Sequence, residues 1–288
     1  MQRPVYGLIA GLLAASIWGG MYVVSKAVMD VIPPFTLLSS RLFLGIATLG
    51  LILAFQRNRK VTRQQFWQVF GVGFVGYGIS LGFQFVGTHL STASNGALVT
   101  SATPAFVLLF ASLLLKEKIT WKRLLALVIA SLGVLAIIDP RTADFSSRLF
   151  LGNLSLVAAA VTWALYSVLV RAVTRSVDVL SASAIAFAGG LPISLPMSVW
   201  EVFGSGLGGV TAGVVGGILF IGIISTALAM YLWNTAFTLL EASTASLTFF
   251  AQPVVGTILG AIFLGEKITP LFILGGVLIG LGILIARE

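Results

Sequence analysis

Long apolar stretches follow one another along the chain, separated by short breaks of charged or turn-forming residues. A helix needs about 20 mostly apolar residues to cross the hydrocarbon core of a bilayer. Ten stretches meet this requirement, at residues 6–28, 34–56, 66–88, 92–115, 122–139, 149–171, 179–200, 211–233, 242–264 and 270–286. The pattern predicts an all-α integral membrane protein with ten transmembrane helices, whose connections are too short for a soluble catalytic domain.

The first stretch has to be distinguished from a cleaved signal peptide. A signal peptide has an apolar core of about 7–15 residues, followed by a small-residue cleavage site. The apolar run in residues 6–28 is longer, and no such cleavage site follows it. We therefore expect this stretch to remain in the protein as its first helix.

Composition narrows the class of protein further. Hydrophobic residues make up 58% of the 288 residues and charged residues only 9%, whereas soluble domains carry about 25% charged residues. This balance excludes an ordinary soluble enzyme, a disordered chain and a nucleic-acid binder. The chain contains no Cys and one His, so we expect no disulfide, no metal site and no cofactor.

Lys and Arg are distributed unevenly between the two ends of the predicted helices. If both termini are inside, the inner loops and tails hold 12 of these 17 residues and the outer ends hold 4, while Arg41 lies within the second stretch. Cytoplasmic loops of membrane proteins carry such an excess of positive charge. We therefore predict a multi-pass protein of the inner or plasma membrane with both termini in the cytoplasm.

The two halves of the chain contain the same motif. Ala-Thr-Pro at 102–104 is followed by Glu-Lys-Ile-Thr at 117–120, and Ala-Gln-Pro at 251–253 is followed by Glu-Lys-Ile-Thr at 266–269. The two copies are 149 residues apart and keep the same internal spacing. Chance similarity between apolar helices is the alternative, but proline and a charged tetrapeptide are not general features of membrane helices.

The repeat predicts a specific topology. Trp18 and Trp163 pair at an offset of 145 residues, so the similarity extends to the first helix of each half. The halves, residues 1–139 and 140–288, each contain five predicted helices. Because five is odd, the second half must enter the membrane from the opposite side. Inverted repeats of this kind are common in secondary transporters, where they allow alternating access to a central site.

Several of these motifs resemble a known family. Trp18-Gly19-Gly20-Met21-Tyr22 with Lys26 resembles the first-helix pattern of the EamA type of the drug/metabolite transporter superfamily, and Ser40-Arg41-Leu42-Phe43 resembles its second-helix element. The two stretches from Pro to Glu-Lys-Ile-Thr resemble its repeat signatures. The resemblance implies two inverted five-helix repeats around a central cavity. Within the superfamily the chain is most similar to the YddG-type amino-acid exporters; other members move drugs, nucleotide sugars or sugar phosphates.

Two prolines mark the centre of the membrane in the predicted arrangement. Pro104 and Pro253 lie near the middle of 92–115 and 242–264. A proline inside a helix frees the carbonyl four residues earlier, here those of Thr100 and Phe249. Such groups need partners in the membrane, which predicts a polar cavity and two hinges. The compatible alternative is two structural kinks satisfied by neighbouring Ser or Thr side chains.

Aromatic and polar residues recur at helical spacing on shared faces of several stretches. A buried amide is costly without hydrogen-bond partners, so glutamines in these positions favour a cavity over lipid. For each aromatic residue alone, packing or interface anchoring is an alternative. The candidate substrate-binding residues are Trp18, Tyr22, Tyr77, Ser80, Gln84, Asn95, Ser101, Trp163, Tyr166, Phe249 and Gln252.

The candidates predict the chemical class of the substrate. They combine amide and hydroxyl groups, aromatic faces and free carbonyls, which suits a neutral or aromatic amino acid. A sugar phosphate or nucleotide would need clusters of cations. Arg171 is expected to extend towards the membrane surface, and Arg41 is expected to extend there or to bond to the C-terminus of a neighbouring helix. A multidrug exporter of the same superfamily is the alternative; a channel and a membrane-embedded enzyme are remote ones, and no catalytic residue is expected.

The sequence offers no obvious energy source for uphill transport. All nine Asp and Glu residues fall in loops or at helix ends, whereas proton-coupled carriers usually place a carboxylate within the membrane. No ATP-binding loop is present either. These features favour facilitated exchange or diffusion. The expected partners are a small-molecule substrate and the lipid bilayer, and the expected state is a monomer.

Overall fold

The computed structural model describes residues 2–55, 61–90, 100, 102–138, 147–264 and 270–286, and its ordered elements are all helical, with no strand in these ranges. The predicted all-α class is thereby confirmed. The helices are α1 (Gln2–Met29), α2 (Pro34–Phe55), α3 (Arg63–Leu90), α4 (Thr103–Leu114), α5 (Trp121–Ile138), α6 (Ser147–Val173), α7 (Val179–Ser205), α8 (Ala212–Leu239), α9 (Ala242–Leu247, Thr248–Phe250 and Ala251–Leu264) and α10 (Pro270–Ala286).

Within the described ranges, six helices are long and apolar enough to cross a bilayer. They are α1, α2, α3, α6, α7 and α8, while α4 and most of α10 form shorter apolar helices. Large apolar side chains cover the outer surface, and Trp67, Trp121 and Trp200 are exposed near helix ends. Tryptophan is enriched at such levels because its ring suits the membrane–water interface. The protein is therefore a multi-pass membrane protein.

Two of the spanning helices change their winding near the middle. In α3 the segment Phe74–Ser80 is a π-helix, and in α8 the segment Phe220–Leu228 is one. In the second segment the Thr226 hydroxyl donates to the carbonyl of Ile221 over 2.7 Å. Such π-helical segments are rare in proteins, and those that occur are often found at functional sites. The predicted repeat pairs α3 with α8, so both halves carry the same irregularity.

Both predicted hinge prolines lie directly after a change in helix geometry. Ala102 is in a turn, and Pro104 lies in the first turn of α4. In α9 the 3-10 turn Thr248–Phe250 comes directly before the segment that contains Pro253. A proline in the first turn of a helical segment removes no intrahelical hydrogen bond. Each proline therefore follows a change in helix geometry, and the role of the two positions as hinges stays a prediction.

Helix contacts occur in matching sets. The α1 helix packs against α9, and α6 packs against α4; α2 packs against α7, and α5 against α10. Under the predicted repeat, α1 exchanges with α6 and α4 with α9. The α1–α9 contact in this way corresponds to the α6–α4 contact. The α2–α7 and α5–α10 contacts each join two helices that the repeat pairs with one another.

The α5–α10 contact shows this relation at the level of single residues. A Cβ atom added to Gly133 would lie 2.6 Å from the Gly275 carbonyl oxygen, and one added to Gly282 would lie 2.8 Å from that of Ala126. Only glycine permits such close backbone approach. An offset of 149 residues carries Gly133 to Gly282 and Ala126 to Gly275, so the two contacts exchange with each other.

Candidate substrate-binding cavity

A cavity lies between the helices of both predicted halves. Its free space is about 30 Å³, room for one or two water molecules. Residues from α1, α2, α3, α4, α6, α8 and α9 surround it, together with Thr100. The lining residues are Trp18, Met21, Tyr22, Arg41, Ser80, Leu81, Gln84, Thr100, Thr103, Ala159, Ala160, Trp163, Met230, Phe249 and Gln252. Of the sequence candidates, seven are among them: Trp18, Tyr22, Ser80, Gln84, Trp163, Phe249 and Gln252.

Aromatic rings form one wall of the cavity. The rings of Trp18 and Trp163 meet edge to face, with centroids 5.8 Å apart, and Trp18 also contacts Phe249 at 6.1 Å. Trp233, which the sequence analysis did not select, packs behind them against Trp18 and Phe249. Edge-to-face contacts hold aromatic rings in defined orientations. The wall is therefore preformed rather than a loose hydrophobic lining.

The two tryptophans that the repeat pairs use their indole N–H groups differently. Trp18 Nε1 donates to the carbonyl of Ser225 over 3.0 Å. Trp163 Nε1 is buried and has no hydrogen-bond partner among the described residues. A buried donor without a partner is costly. Trp163 therefore offers a free donor at the cavity, while the N–H group of Trp18 ties α1 to the π-helical segment of α8.

Amide and hydroxyl groups supply the polar part of the lining. Gln84 Nε2 donates to the Tyr22 hydroxyl over 2.8 Å. Ser80 Oγ donates to the carbonyl of Ala159 over 2.8 Å, which ties α3 to α6. Gln252 is 5% exposed, and its side-chain oxygen has no partner within the described chain. The lining is thus neutral and polar at these positions, as the sequence predicted.

Tyr77 and Tyr166 were predicted to touch substrate but lie one layer behind the cavity lining. Their hydroxyls are 2.5 Å apart, and Tyr166 donates to Asn234 over 2.8 Å. Asn234 in turn donates to Ser183 over 2.9 Å. Both tyrosine rings pack against Trp163, with centroids 6.1 and 4.8 Å away. In this arrangement they support the orientation of Trp163. Two further candidates, Asn95 and Ser101, fall outside the described residues.

The predicted position of Arg41 is wrong. The residue does not extend to the membrane surface but is fully buried and lines the cavity. Its Nε donates to Thr226 Oγ1 over 2.7 Å, and its guanidinium lies 5.5 Å from the Phe85 ring centroid. The two terminal nitrogens, Nη1 and Nη2, have no hydrogen-bond partner among the described residues.

A network of charges joins the helix ends where α4 and α6 finish and α9 begins. Glu117 accepts from the backbone N–H groups of Ala242 and Ser243 over 2.8 and 3.2 Å, and from the Ser243 hydroxyl. Arg171 Nε lies 3.4 Å from the Glu117 carboxylate, and Arg171 Nη1 donates to Phe237 O over 2.9 Å. Arg171 is thus engaged with protein and not with the membrane surface. A carboxylate at a helix N-terminus is also favoured by the helix dipole.

A second ion pair and a further cap complete the helix ends. Arg123, at the start of α5, pairs with Glu241, directly before α9. At the opposite end of the molecule, Glu201 accepts from the backbone N–H groups of Phe35 and Thr36 over 3.0 and 2.8 Å. These carboxylates are used to join helices, and none of the described carboxylates lines the cavity.

Comparisons with known proteins agree with this architecture. The model of the EamA-like transporter family matches residues 5–139 and again residues 150–287. The chain belongs to this family. It is 27% identical to the uncharacterized transporter YoaV of Bacillus subtilis over 291 residues, which covers 98% of this chain and 96% of the relative. An uncharacterized transporter of Archaeoglobus fulgidus is 28% identical over 276 residues, 95% of each chain.

A crystal structure that is 19% identical in sequence matches the fold with a TM-score of 0.81, covering 98% of this chain and 96% of that one. At this identity the likeness concerns the fold alone. The family and the relatives confirm that the protein is a membrane transporter and not an enzyme. The names of these relatives specify no substrate, so the resemblance to amino-acid exporters stays a prediction.

Proposed function

We propose that the protein is a secondary carrier that exports small metabolites, specifically neutral or aromatic amino acids, by alternating access. The observation that carries this proposal is the cavity between the two halves. It combines the aromatic wall of Trp18, Trp163 and Phe249 with the neutral polar groups of Gln84 and Gln252. Sites for small organic molecules have this mixture of apolar walls and a few polar groups that fix orientation.

The proposed mechanism is an exchange of conformations between two inverted five-helix repeats, residues 1–139 and 140–288. The exchanging contacts of α5 and α10 and the π-helical segments in α3 and α8 support it. The cavity is too narrow for an amino acid in this conformation, with about 30 Å³ of free space. Transport must therefore widen it, as a rocking motion between repeats would do.

The proposed orientation assigns the charge network to one side of the membrane. With both termini in the cytoplasm, the contacts of Glu117 with Arg171 and Ser243 lie at the cytoplasmic end. They would close the inner entrance in this conformation. No carboxylate among the described residues lines the cavity, which favours facilitated exchange or diffusion over proton coupling.

Pro104 and Pro253 are the proposed hinges of this motion. Each follows a change in helix geometry beside the cavity. We expect Pro104→Ala and Pro253→Ala to fold, since alanine is the residue most compatible with a helical segment. Each should slow exchange more than it weakens substrate binding. Wild-type turnover in both variants would leave the prolines as packing features.

The direct test of the proposed function is counterflow in proteoliposomes containing the purified protein. Vesicles loaded with unlabelled solute are exposed to labelled amino acids, cationic drugs or sugar phosphates in parallel. The proposal predicts saturable accumulation of labelled neutral or aromatic amino acids. Accumulation of the drugs alone would identify a multidrug exporter, and accumulation of the phosphorylated compounds alone would contradict the proposed substrate class.

A further inference from the structure

The cavity contains a single cation whose charge the described protein does not balance. Arg41 is fully buried, and no described carboxylate lies within ion-pair distance of it. Its described polar contact is the Thr226 hydroxyl, and its guanidinium lies 5.5 Å from the Phe85 ring centroid. Burying a charge without a paired group costs several kcal/mol in a protein interior. A positive charge in this position therefore needs an anionic partner.

The orientation of the guanidinium is fixed for such a partner. Thr226 Oγ1 accepts from Nε and itself donates to Ile221 in the π-helical segment of α8. This leaves the edge formed by Nη1 and Nη2 without protein partners in the described chain. Two parallel N–H donors at this spacing match the two oxygens of a carboxylate. The Trp163 indole offers a further unpartnered donor in the same cavity.

We infer that the terminal nitrogens of Arg41 bind the carboxylate of the transported substrate. This inference rests on the proposed function, because it assigns the anionic group of the substrate to a residue of that same cavity. One cation neutralises one negative charge. A phosphate monoester carries close to two negative charges at neutral pH, and no second Lys or Arg is among the cavity-lining residues. The inference therefore selects monocarboxylates, including amino acids, over phosphorylated metabolites.

A set of three matched ligands tests the inference without any substitution. L-Phenylalanine carries both charged groups, 3-phenylpropionate lacks the ammonium group, and 2-phenylethylamine lacks the carboxylate. Binding to the purified full-length protein in lipid nanodiscs is followed by tryptophan fluorescence, in buffer free of other carboxylates and of chloride. The two carboxylates should bind about 10- to 100-fold more tightly than the amine, the range expected for hydrogen bonds to charged groups.

Substitutions then assign the preference to Arg41. Arg41→Gln should reduce carboxylate binding about 10- to 100-fold and bring the three ligands to similar affinities. Arg41→Lys should recover only part of the preference, because lysine keeps the charge but loses the paired donors. Arg63→Gln removes one exposed positive charge at the start of α3 and should behave as wild type.

The outcomes separate this inference from the proposed function. Equal binding of the amine and the carboxylates by wild-type protein, or no binding of any of the three, would overturn the role of Arg41. Chloride is titrated separately into the same buffer; chloride binding with no carboxylate binding would make the residue an inorganic-anion site and would overturn the role too. Arg41-dependent binding of 3-phenylpropionate with no amino-acid counterflow would instead sustain the inference and reject amino-acid export. The wild-type ligand series can still overturn the inference if Arg41→Gln does not fold, and Arg41→Lys then assigns the preference to the residue.

Discussion

The helix ends around Glu117 and the cavity around Arg41 both keep an arginine away from bulk water, but they treat its charge differently. At the helix ends, Arg171 has the Glu117 carboxylate 3.4 Å away and Arg123 pairs with Glu241. In the cavity, Arg41 has a neutral hydroxyl and an aromatic ring beside it. Arg171 and Arg123, which join helices, each have a carboxylate of the protein beside them. Arg41 has no such carboxylate among the described residues, so its anionic partner has to come from outside the described protein.

The indole N–H groups of Trp18 and Trp163 differ in the same way, since one has a partner in the protein and the other does not. The N–H of Trp18 is bonded to the carbonyl of Ser225, whereas that of Trp163 has no partner in the described chain. The two residues are related by the predicted repeat. Their difference separates an N–H group that joins two helices from one that the described chain leaves without a partner.

The largest effect is expected from breaking the helix-end network. Glu117→Gln removes the charge that faces Arg171 and weakens the cap on α9. Breaking a largely buried ion pair costs about 3–5 kcal/mol, and the partial exposure of Arg171, 19%, lowers this to about 2–3 kcal/mol. Chemical denaturation in detergent should show the loss. Asp30→Asn, an exposed substitution after α1, serves as the control and should have no measurable effect.

A double variant sharpens that prediction. If the loss in Glu117→Gln comes from an uncompensated Arg171, then adding Arg171→Gln should restore part of the stability. Strict additivity of the two single effects would show that the residues do not act as a pair.

The tryptophan comparison predicts two different kinds of loss. Trp18→Phe breaks a buried hydrogen bond and should lower the free energy of unfolding by about 1 kcal/mol. Trp163→Phe breaks no protein hydrogen bond and should leave stability near wild type, while carboxylate binding weakens about three- to tenfold. Thermal melting and ligand titration on the same preparations check both statements. Equal effects of the two variants on both quantities would remove the distinction.

The smallest effect is expected at Thr226. Thr226→Val keeps the shape of the side chain and removes the acceptor for Arg41 Nε. The guanidinium keeps its charge but loses its fixed orientation, so carboxylate affinity should fall about threefold, within the range for one hydrogen bond. The preference for carboxylates over amines should persist, which distinguishes a positioning residue from a binding residue. Loss of the preference itself would contradict this role.

Sequence periodicity predicted the all-α class and the six long spanning helices, and seven of the candidates that it selected line the cavity. Apolar length is a local property, so spanning helices could be predicted without knowledge of packing. Trp18, Gln84 and Trp163 were found because helical spacing gives the direction of a side chain. It does not give depth, which is why Tyr77 and Tyr166 were predicted at the cavity surface and lie one layer behind it.

The positions of the arginine side chains could not be predicted from neighbouring residues in the sequence. Arg41 is held by Thr226, which is 185 residues away along the chain. Arg171 faces Glu117, which belongs to another helix connection. A lone charge within an apolar stretch can extend to the membrane surface or point inward, and only the contacts of other helices decide between the two. A hydroxyl-bearing π-helical segment opposite the arginine was not apparent from composition or spacing.

The most direct test of the central claim compares Arg41→Met with Arg171→Met in the same nanodisc preparation. Arg41→Met should abolish the preference for carboxylate ligands and leave the melting temperature unchanged or higher, because it removes an unbalanced buried charge. Arg171→Met should lower the melting temperature by about 4–8 °C and keep the carboxylate preference. An Arg41→Met protein that is destabilised as Arg171→Met is, and that still prefers carboxylates, would contradict the role of Arg41 as the carboxylate site.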